Sequence, residues 1–242
     1  MQELADTFNI MLDRLQESFE RERQFTSDAS HELRTPVAVI SACAEDLRGC
    51  VQDSDSKQSL EAIEKESERM NKIISQLLLL TRGYEGRYHM EKEVLELHEV
   101  VGSVMAELSE MAADSQIRLF NKVPEKSTVF ADQSLITQLL INLIGNSIKY
   151  RVRGGKVTVR ASNSERGCTF TVSDNGIGIL EDELEHVFER FYRADKARDR
   201  SGSGLGLSIV KWIVALHNGK ISIRSRYGKG TQVTVALSAR KP

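Results

Sequence analysis

Gly202-Ser203-Gly204-Leu205-Gly206-Leu207 runs directly into the apolar stretch Ile209 to Leu216. Glycines ahead of a helix present backbone N–H groups to a phosphate, at the end where the helix dipole favours an anion. The spacing is neither Gly-x-Gly-x-x-Gly after a first strand nor Gly-x-x-x-x-Gly-Lys-Ser/Thr, so it supports neither a dinucleotide fold nor a P-loop. A helix is predicted from near Gly204 to His217. Beyond it, Ile221 to Arg226 and Gln232 to Leu237 flank Tyr227-Gly228-Lys229-Gly230 and read as a hairpin. Upstream, Val157, Val159 and Ala161 alternate with polar residues, and Cys168, Phe170 and Val172 do so again after a turn at Asn163 to Gly167. That is a second hairpin. Helical runs are predicted at His98 to Ala113 and at Asp132 to Tyr150, with Asp132 as N-cap of the latter. Helices with mostly antiparallel strands make this part an α+β sandwich.

The first third of the chain has a different period. Leu4, Phe8, Met11 and Leu15 open an apolar stripe that continues through Ala29, Leu33, Val37, Ile40, Ala44, Leu47 and Val51. It predicts a helix from about Met1 to Gly49, on the order of 70 Å long. The polar stretch Gln52 to Ser59 is expected to break it. Leu60, Ile63, Ser67, Met70, Ile74, Leu77 and Thr81 then recur at alternating gaps of three and four. Two such helices form an αα-hairpin that cannot bury both faces alone, so pairing of two copies into a four-helix bundle, a homodimer, is expected. Gly83 to Arg87 loses the period and is predicted to begin a linker.

Composition sets outer limits. With 242 residues, 40% hydrophobic and 28% charged, the chain has material for a compact domain plus an extended element. A formal net charge of −2 gives no electrostatic argument for nucleic acid or an anionic membrane. No uninterrupted apolar run approaches the roughly 20 residues of a membrane span. Cys43, Cys50 and Cys168 have no metal-ligand spacing and read as reduced thiols of a cytosolic compartment.

The predicted helical hairpin carries Ser30-His31-Glu32-Leu33-Arg34-Thr35-Pro36. His31 lies two residues, about 200° of helix, from Leu33, so its ring is expected to face away from the seam. Glu32 is placed to hold or deprotonate one ring nitrogen, leaving the other as a nucleophile. Thr35 offers a hydroxyl one turn on, and Pro36 is expected to bend or loosen the helix. The sandwich carries four clusters in order. Asn142 and Asn146 share a helix face with Lys149 and Tyr150 close by; carboxamide oxygens suit Mg²⁺, and a lysine suits phosphate. Asp174-Asn175-Gly176-Ile177-Gly178 follows an apolar strand, where a carboxylate can accept from an exocyclic amine while glycines let backbone approach a ring. Phe188-Glu189-Arg190-Phe191-Tyr192-Arg193 supplies aromatics and two arginines within reach of phosphate. Ala194 to Ser203 is small, charged and Ser/Gly-rich, the composition of a lid. The fourth cluster is the opening stretch, with Gly202, Gly204, Leu205 and Gly206. Each alone has a bland reading as a turn, a surface face or packing; their order behind a His-Glu-x-x-Thr-Pro helix does not.

On these motifs the chain resembles the HisKA-type sensor histidine kinases over nearly its whole length, with Gly230-Thr231 matching a further short ATP-site motif. Glu3-Leu4 and Phe8-Asn9-x-Met11-Leu12 look like the end of a HAMP signalling helix. The resemblance implies a HAMP-like helix at 1–20, a dimerisation and phosphotransfer hairpin at 21–83, a linker at 84–90, and a catalytic domain at 91–242. The last is implied to be an α/β sandwich of the GHKL ATPase type. It implies the cytoplasmic portion of a membrane sensor, with an upstream transmembrane region and a response-regulator receiver domain as partner. His31, with Arg34 beside it in the motif, is implied to take the γ-phosphoryl of ATP, Glu32 to act as base or orienter, and Thr35 to serve dephosphorylation of the partner. Asn142 and Asn146 are implied to belong to a Mg²⁺ site, and Asp174 to read the adenine amino group. Of two rival classes, a nonenzymatic nucleotide-binding scaffold is disfavoured by the intact His31, Glu32, Asn146 and Asp174, and an ATP-hydrolysing chaperone or topoisomerase-like ATPase by the phosphoacceptor helix and by Asn142 where such ATPases carry a glutamate. Ser147 stands where the family usually has Ala, and Val233 where it often has Phe; neither is expected to touch the chemistry.

Overall fold

A computed structural model of the chain describes residue 30 and residues 33–48, 53–84, 90–165, 167–193 and 203–238. It divides into two compact units, Met1–Tyr88 and His89–Pro242. The predicted helix before residue 30 lies outside the described residues.

In the first unit, α1 (residues 33–48) runs through Pro36 as helix, and α2 spans Ser54–Tyr84. The expected break at 52–59 is therefore shorter than predicted. Asp53 is the reason: its Oδ1 accepts the Ser56 N–H at 2.7 Å, capping a helix that begins inside the polar stretch. At the other end α2 carries through Gly83 to Tyr84, so the linker does not begin at Gly83. Val37, Ile74 and Leu78 form the small core, with Met70 packed against it. The predicted stripe of α1 splits: Val37 and Ala44 are buried, whereas Leu33, Ile40 and Leu47 stay 46, 45 and 52% exposed. A lone helical pair covers only one flank of a wide stripe.

The second unit is built on a five-stranded sheet and a two-stranded one. In chain order its elements are β1 (Lys92–Glu96), α3 (Leu97–Glu107), α4 (Ser109–Asp114), β2 (Arg118–Lys122), β3 (Thr128–Asp132), α5 (Gln133–Lys149), β4 (Lys156–Ser164) and β5 (Gly167–Asp174). A 3₁₀ turn (Glu181–Glu183), α6 (Gly206–Leu216), β6 (Lys220–Arg226) and β7 (Gly230–Ser238) follow. The large sheet has the order β2-β4-β5-β7-β6, and β1 pairs with β3. Both predicted hairpins form, β4 with β5 and β6 with β7; β2 lies parallel to β4. Along β7, Val233, Val235 and Leu237 alternate inward, the period-2 pattern of a sheet with one covered face.

Helix α5 is buried along most of its length: Leu135, Ile136, Leu139, Leu140, Ile144 and Ile148 are fully buried. Each such side chain contributes about 1.5–3 kcal/mol relative to exposure, which makes α5 the pillar of the unit. Asp132 caps it as predicted, its Oδ1 accepting the Leu135 N–H at 3.1 Å. The run predicted at His98 to Ala113 is two helices instead, broken at Leu108. The Ser109 hydroxyl donates to the Ala106 carbonyl at 2.7 Å, a local bond that competes with the helical ladder. Helix α6 starts later than predicted because Gly204 has φ +73°, outside helical space. Its C-cap, His217, ties α6 to the start of α5: the Asp132 N–H donates to Nε2 at 3.1 Å, leaving Nδ1–H to donate to the Ile213 carbonyl at 2.8 Å. Cys168 is buried on β5, and burial pushes its thiol up to about 11.

Candidate nucleotide-binding site

Three pieces of chain meet at one end of β5. Helix α5 brings Asn146, Ser147 and Tyr150, β5 ends on Asp174, and the β6–β7 hairpin brings Ile223, Tyr227 and Thr231; all line one cavity. The Asp174 carboxylate is the polar end of that cavity. Its Oδ1 accepts the Gly176 N–H at 2.8 Å and the Thr231 N–H at 3.1 Å, and its Oδ2 accepts the Ser147 hydroxyl at 3.0 Å. Burial nevertheless raises its pKa, outweighing those three bonds, which pull it down. A raised carboxyl pKa means that its contribution to stability is fullest below the unfolded value and is lost as pH rises through the folded one. At neutral pH this buried acid is therefore a burden on the fold, as expected of a group kept for binding.

Glycines let the surrounding backbones touch. A Cβ on Gly178, whose φ is +70°, would lie 2.1 Å from the Arg226 carbonyl oxygen. The same junction is stitched by the Gly228 N–H donating to the Ile177 carbonyl at 2.7 Å. Ser225 completes it: its hydroxyl accepts the Ile179 N–H at 2.9 Å, donates to the Gly230 carbonyl at 2.9 Å and meets the Thr231 hydroxyl at 2.9 Å. Asn175 Oδ1 accepts the Lys156 N–H at 2.7 Å, fixing the loop to β4. The acid thus sits on a rigid turn while Val172, Val187, Leu207 and Val233 give the cavity apolar walls, a setting suited to a planar base with one exocyclic amine.

Of the residues singled out from the sequence, Asn146, Tyr150, Asp174, Gly178, Arg193 and Thr231 line the cavity. Gly176 lies in the turn beneath Asp174, where a Cβ would meet the Tyr150 carbonyl oxygen at 2.4 Å. Asn142 is buried, and its Nδ2 has no hydrogen-bond partner among the described residues. A Cβ on Gly206 would sit 3.5 Å from both Asn142 Oδ1 and Asn146 Nδ2, so both carboxamides face the start of α6 across a space that glycine leaves. An unpartnered buried amide and hard oxygen donors beside a helix N-terminus fit a Mg²⁺–phosphate group. Other expectations are redirected. Lys149 Nζ stands 4.8 Å from the centroid of the Tyr150 ring. Arg190 is exposed and does not line the cavity. The Leu205 side chain is fully buried and belongs to the core. Gly204 is pressed against Phe191, with a Cβ position 2.6 Å from the Phe191 carbonyl carbon. Arg34 and Thr35 are exposed on α1; His31, Glu32, Gly202 and the segment 194–202 lie outside the described residues.

The expectation for Ser147 is corrected: it touches Asp174 directly. Ser225, Asn175 and His217 were not legible as supports. Their partners lie 46, 19 and 85 residues away in sequence, and no local pattern signals such bonds.

Fold and site together define an ATPase-type domain behind a helical hairpin. The family described as "Histidine kinase-, DNA gyrase B-, and HSP90-like ATPase" matches residues 131–241, and the His Kinase A (phospho-acceptor) domain matches residues 21–86. The sensor histidine kinase YkoH of Bacillus subtilis (strain 168) is 37% identical over 237 residues, covering 96% of this chain and 51% of YkoH. The signal transduction histidine-protein kinase ArlS of Staphylococcus aureus (strain USA300) is 34% identical over 232 residues, with 94 and 51% covered. Among solved structures, full-length ShkA in complex with AMPPNP superposes with a TM-score of 0.76 at 23% identity, over 90% of this chain and 47% of ShkA, a likeness of fold. The chain belongs to the sensor histidine kinases, of whose curated relatives it spans about half the length. Among the described residues no helix is long and apolar enough to cross a membrane.

Proposed function

We propose that this chain binds ATP in its second unit and transfers the γ-phosphoryl to His31, from which it passes to an aspartate of a response-regulator receiver domain. The observation that carries the reading is the Asp174 carboxylate, held by two backbone N–H groups and a hydroxyl at the end of an apolar-walled cavity. Asp174 accepts the adenine amino group, and Asn142 and Asn146 are the ligands for a Mg²⁺ ion. When bound, that ion neutralises phosphate charge. In the transfer a P–N bond forms to the imidazole, the bond to the β-phosphate bridging oxygen breaks, ADP leaves, and Glu32 takes the ring proton. The carboxamide of Asn142 cannot accept a proton from water, which favours transfer over hydrolysis.

Two copies pair through their hairpins, residues 84–90 articulate the catalytic domain at 91–242, and residues 1–20 continue a signalling helix from a membrane-embedded sensor region. Thr35 serves dephosphorylation of the regulator, supported by its exposure on α1 one turn from the acceptor position. The central experiment incubates the chain with γ-labelled ATP and Mg²⁺. Label that is acid-labile and alkali-stable, and absent from His31→Gln, is expected; a labelled His31→Gln protein would overturn the assignment. Thr35→Ala is expected to retain labelling and lose dephosphorylation of the phosphorylated regulator, and an unchanged rate would remove that role.

A further inference from the structure

We propose that Ser147 determines purine specificity: its hydroxyl, donated to Asp174 Oδ2, holds that carboxylate as an acceptor, so that the cavity selects a 6-amino over a 6-oxo purine. This rests on the reading of Asp174 as the group that meets the base. Oδ1 is occupied by the Gly176 and Thr231 N–H groups, at 2.8 and 3.1 Å. Oδ2 is therefore the oxygen with capacity for a ligand, and Ser147 is its protein partner, at 3.0 Å. Ser147 is itself buried, 8% exposed, on α5, and lines the same cavity as Asp174.

The consequence for specificity follows from which partner carries the hydrogen. An ionised Asp174 accepts from an exocyclic amine and repels a carbonyl oxygen at the same place; a protonated one can donate to that carbonyl. Burial pushes Asp174 toward the protonated form, and the Ser147 hydroxyl is one of three donors that oppose it. The titratable or charged groups facing the cavity from the other packed elements are Tyr150 at the end of α5, Glu183 in the 3₁₀ turn, Tyr192 and Arg193 after it, and Tyr227 in the β6–β7 turn. None of them shifts Asp174; burial and the hydrogen bonds do.

The test measures ATP and ITP affinities of the wild-type chain, Ser147→Ala, Ser147→Cys and Asp174→Asn between pH 5 and 8. Ser147→Ala is expected to lower the preference for ATP over ITP about tenfold, the size of one charge-assisted hydrogen bond. Its loss of ATP binding in acid should also begin at higher pH than in wild type. Ser147→Cys, similar in volume with a weak donor, is expected to fall between, and it decides the matter should the alanine variant fold poorly. Wild-type preference and wild-type pH profile in the serine variants, with Asp174→Asn losing the preference, would overturn the proposal and leave the Asp174 reading standing. Full preference in Asp174→Asn would overturn both.

Discussion

The two units of this chain bury their apolar residues to different degrees. In the second, α5 alone contributes six fully buried Leu and Ile side chains, packed among α3, α6 and the strands. In the first, Val37, Ile74 and Leu78 pack together and Ala44, Leu60 and Leu80 are also buried, while Leu33, Ile40, Leu47 and Ile63 are each about half exposed. Among the described residues the second unit closes on itself, whereas the first leaves an apolar face open, of the kind a second hairpin would cover. In the proposed dimer, stability of the first would be tied to association, and stability of the second to internal geometry.

The largest effect should come from charging the unfinished face. Ile40→Glu with Leu47→Glu places two carboxylates per copy in the proposed seam, and the dimer dissociation constant is expected to rise on the order of 1,000-fold or more. Sedimentation should report a monomer whose ATP affinity is unchanged; a persistent dimer would show that the seam lies elsewhere. Next is Gly178→Ala, which puts a Cβ against the Arg226 carbonyl in a left-handed conformation. It is expected to destabilise the second unit by about 3 kcal/mol in urea unfolding, with the hairpins still paired between copies.

A smaller, pH-dependent effect is expected at His217. Burial lowers its pKa, and both ring nitrogens are engaged as a neutral imidazole. With the folded value depressed, its contribution is present above the unfolded pKa of about 6.5 and is lost as pH falls below it. His217→Ala should cost about 2 kcal/mol at pH 7.5 and flatten the decline of the urea midpoint toward pH 5. A parallel decline in both proteins would move that acid sensitivity to another group. The smallest effect should be Arg48→Ala. The Arg48 Nε–Glu64 Oε1 bond of 3.0 Å joins α1 to α2 on the exposed side. Such pairs add little, so thermal unfolding should be unchanged and insensitive to added salt.

How far the sequence could be read follows the same division. Asp132, with the apolar run after it, announced α5 and its cap because both signals are local. Alternation around Asn163 to Gly167 and around Tyr227 to Gly230 announced the two hairpins for the same reason. The break at Leu108 was hidden, since nothing in residues 98–113 distinguishes one helix from two until the Ser109 back-bond is seen. The parallel pairing of β2 with β4 was hidden because strand neighbours across a crossover leave no mark in either strand. In the site, Asp174 and Thr231 were legible as motif residues, whereas Ser225 and His217 act through partners that only the fold brings near. Ser147 was visible as a departure from family habit, yet its consequence was not: a hydroxyl reads as neutral until a carboxylate is found opposite it.

The contact between Gly204 and Phe191 bears on which residues the approach to α6 admits. Both positions hold left-handed backbone, φ +73° at Gly204 and +61° at Phe191, and a methyl group at 204 would lie 2.6 Å from the Phe191 carbonyl carbon. Since that obstacle is main chain, no rotamer can relieve it, and any side chain at 204 must push the two stretches of backbone apart just ahead of the helix that starts at Gly206.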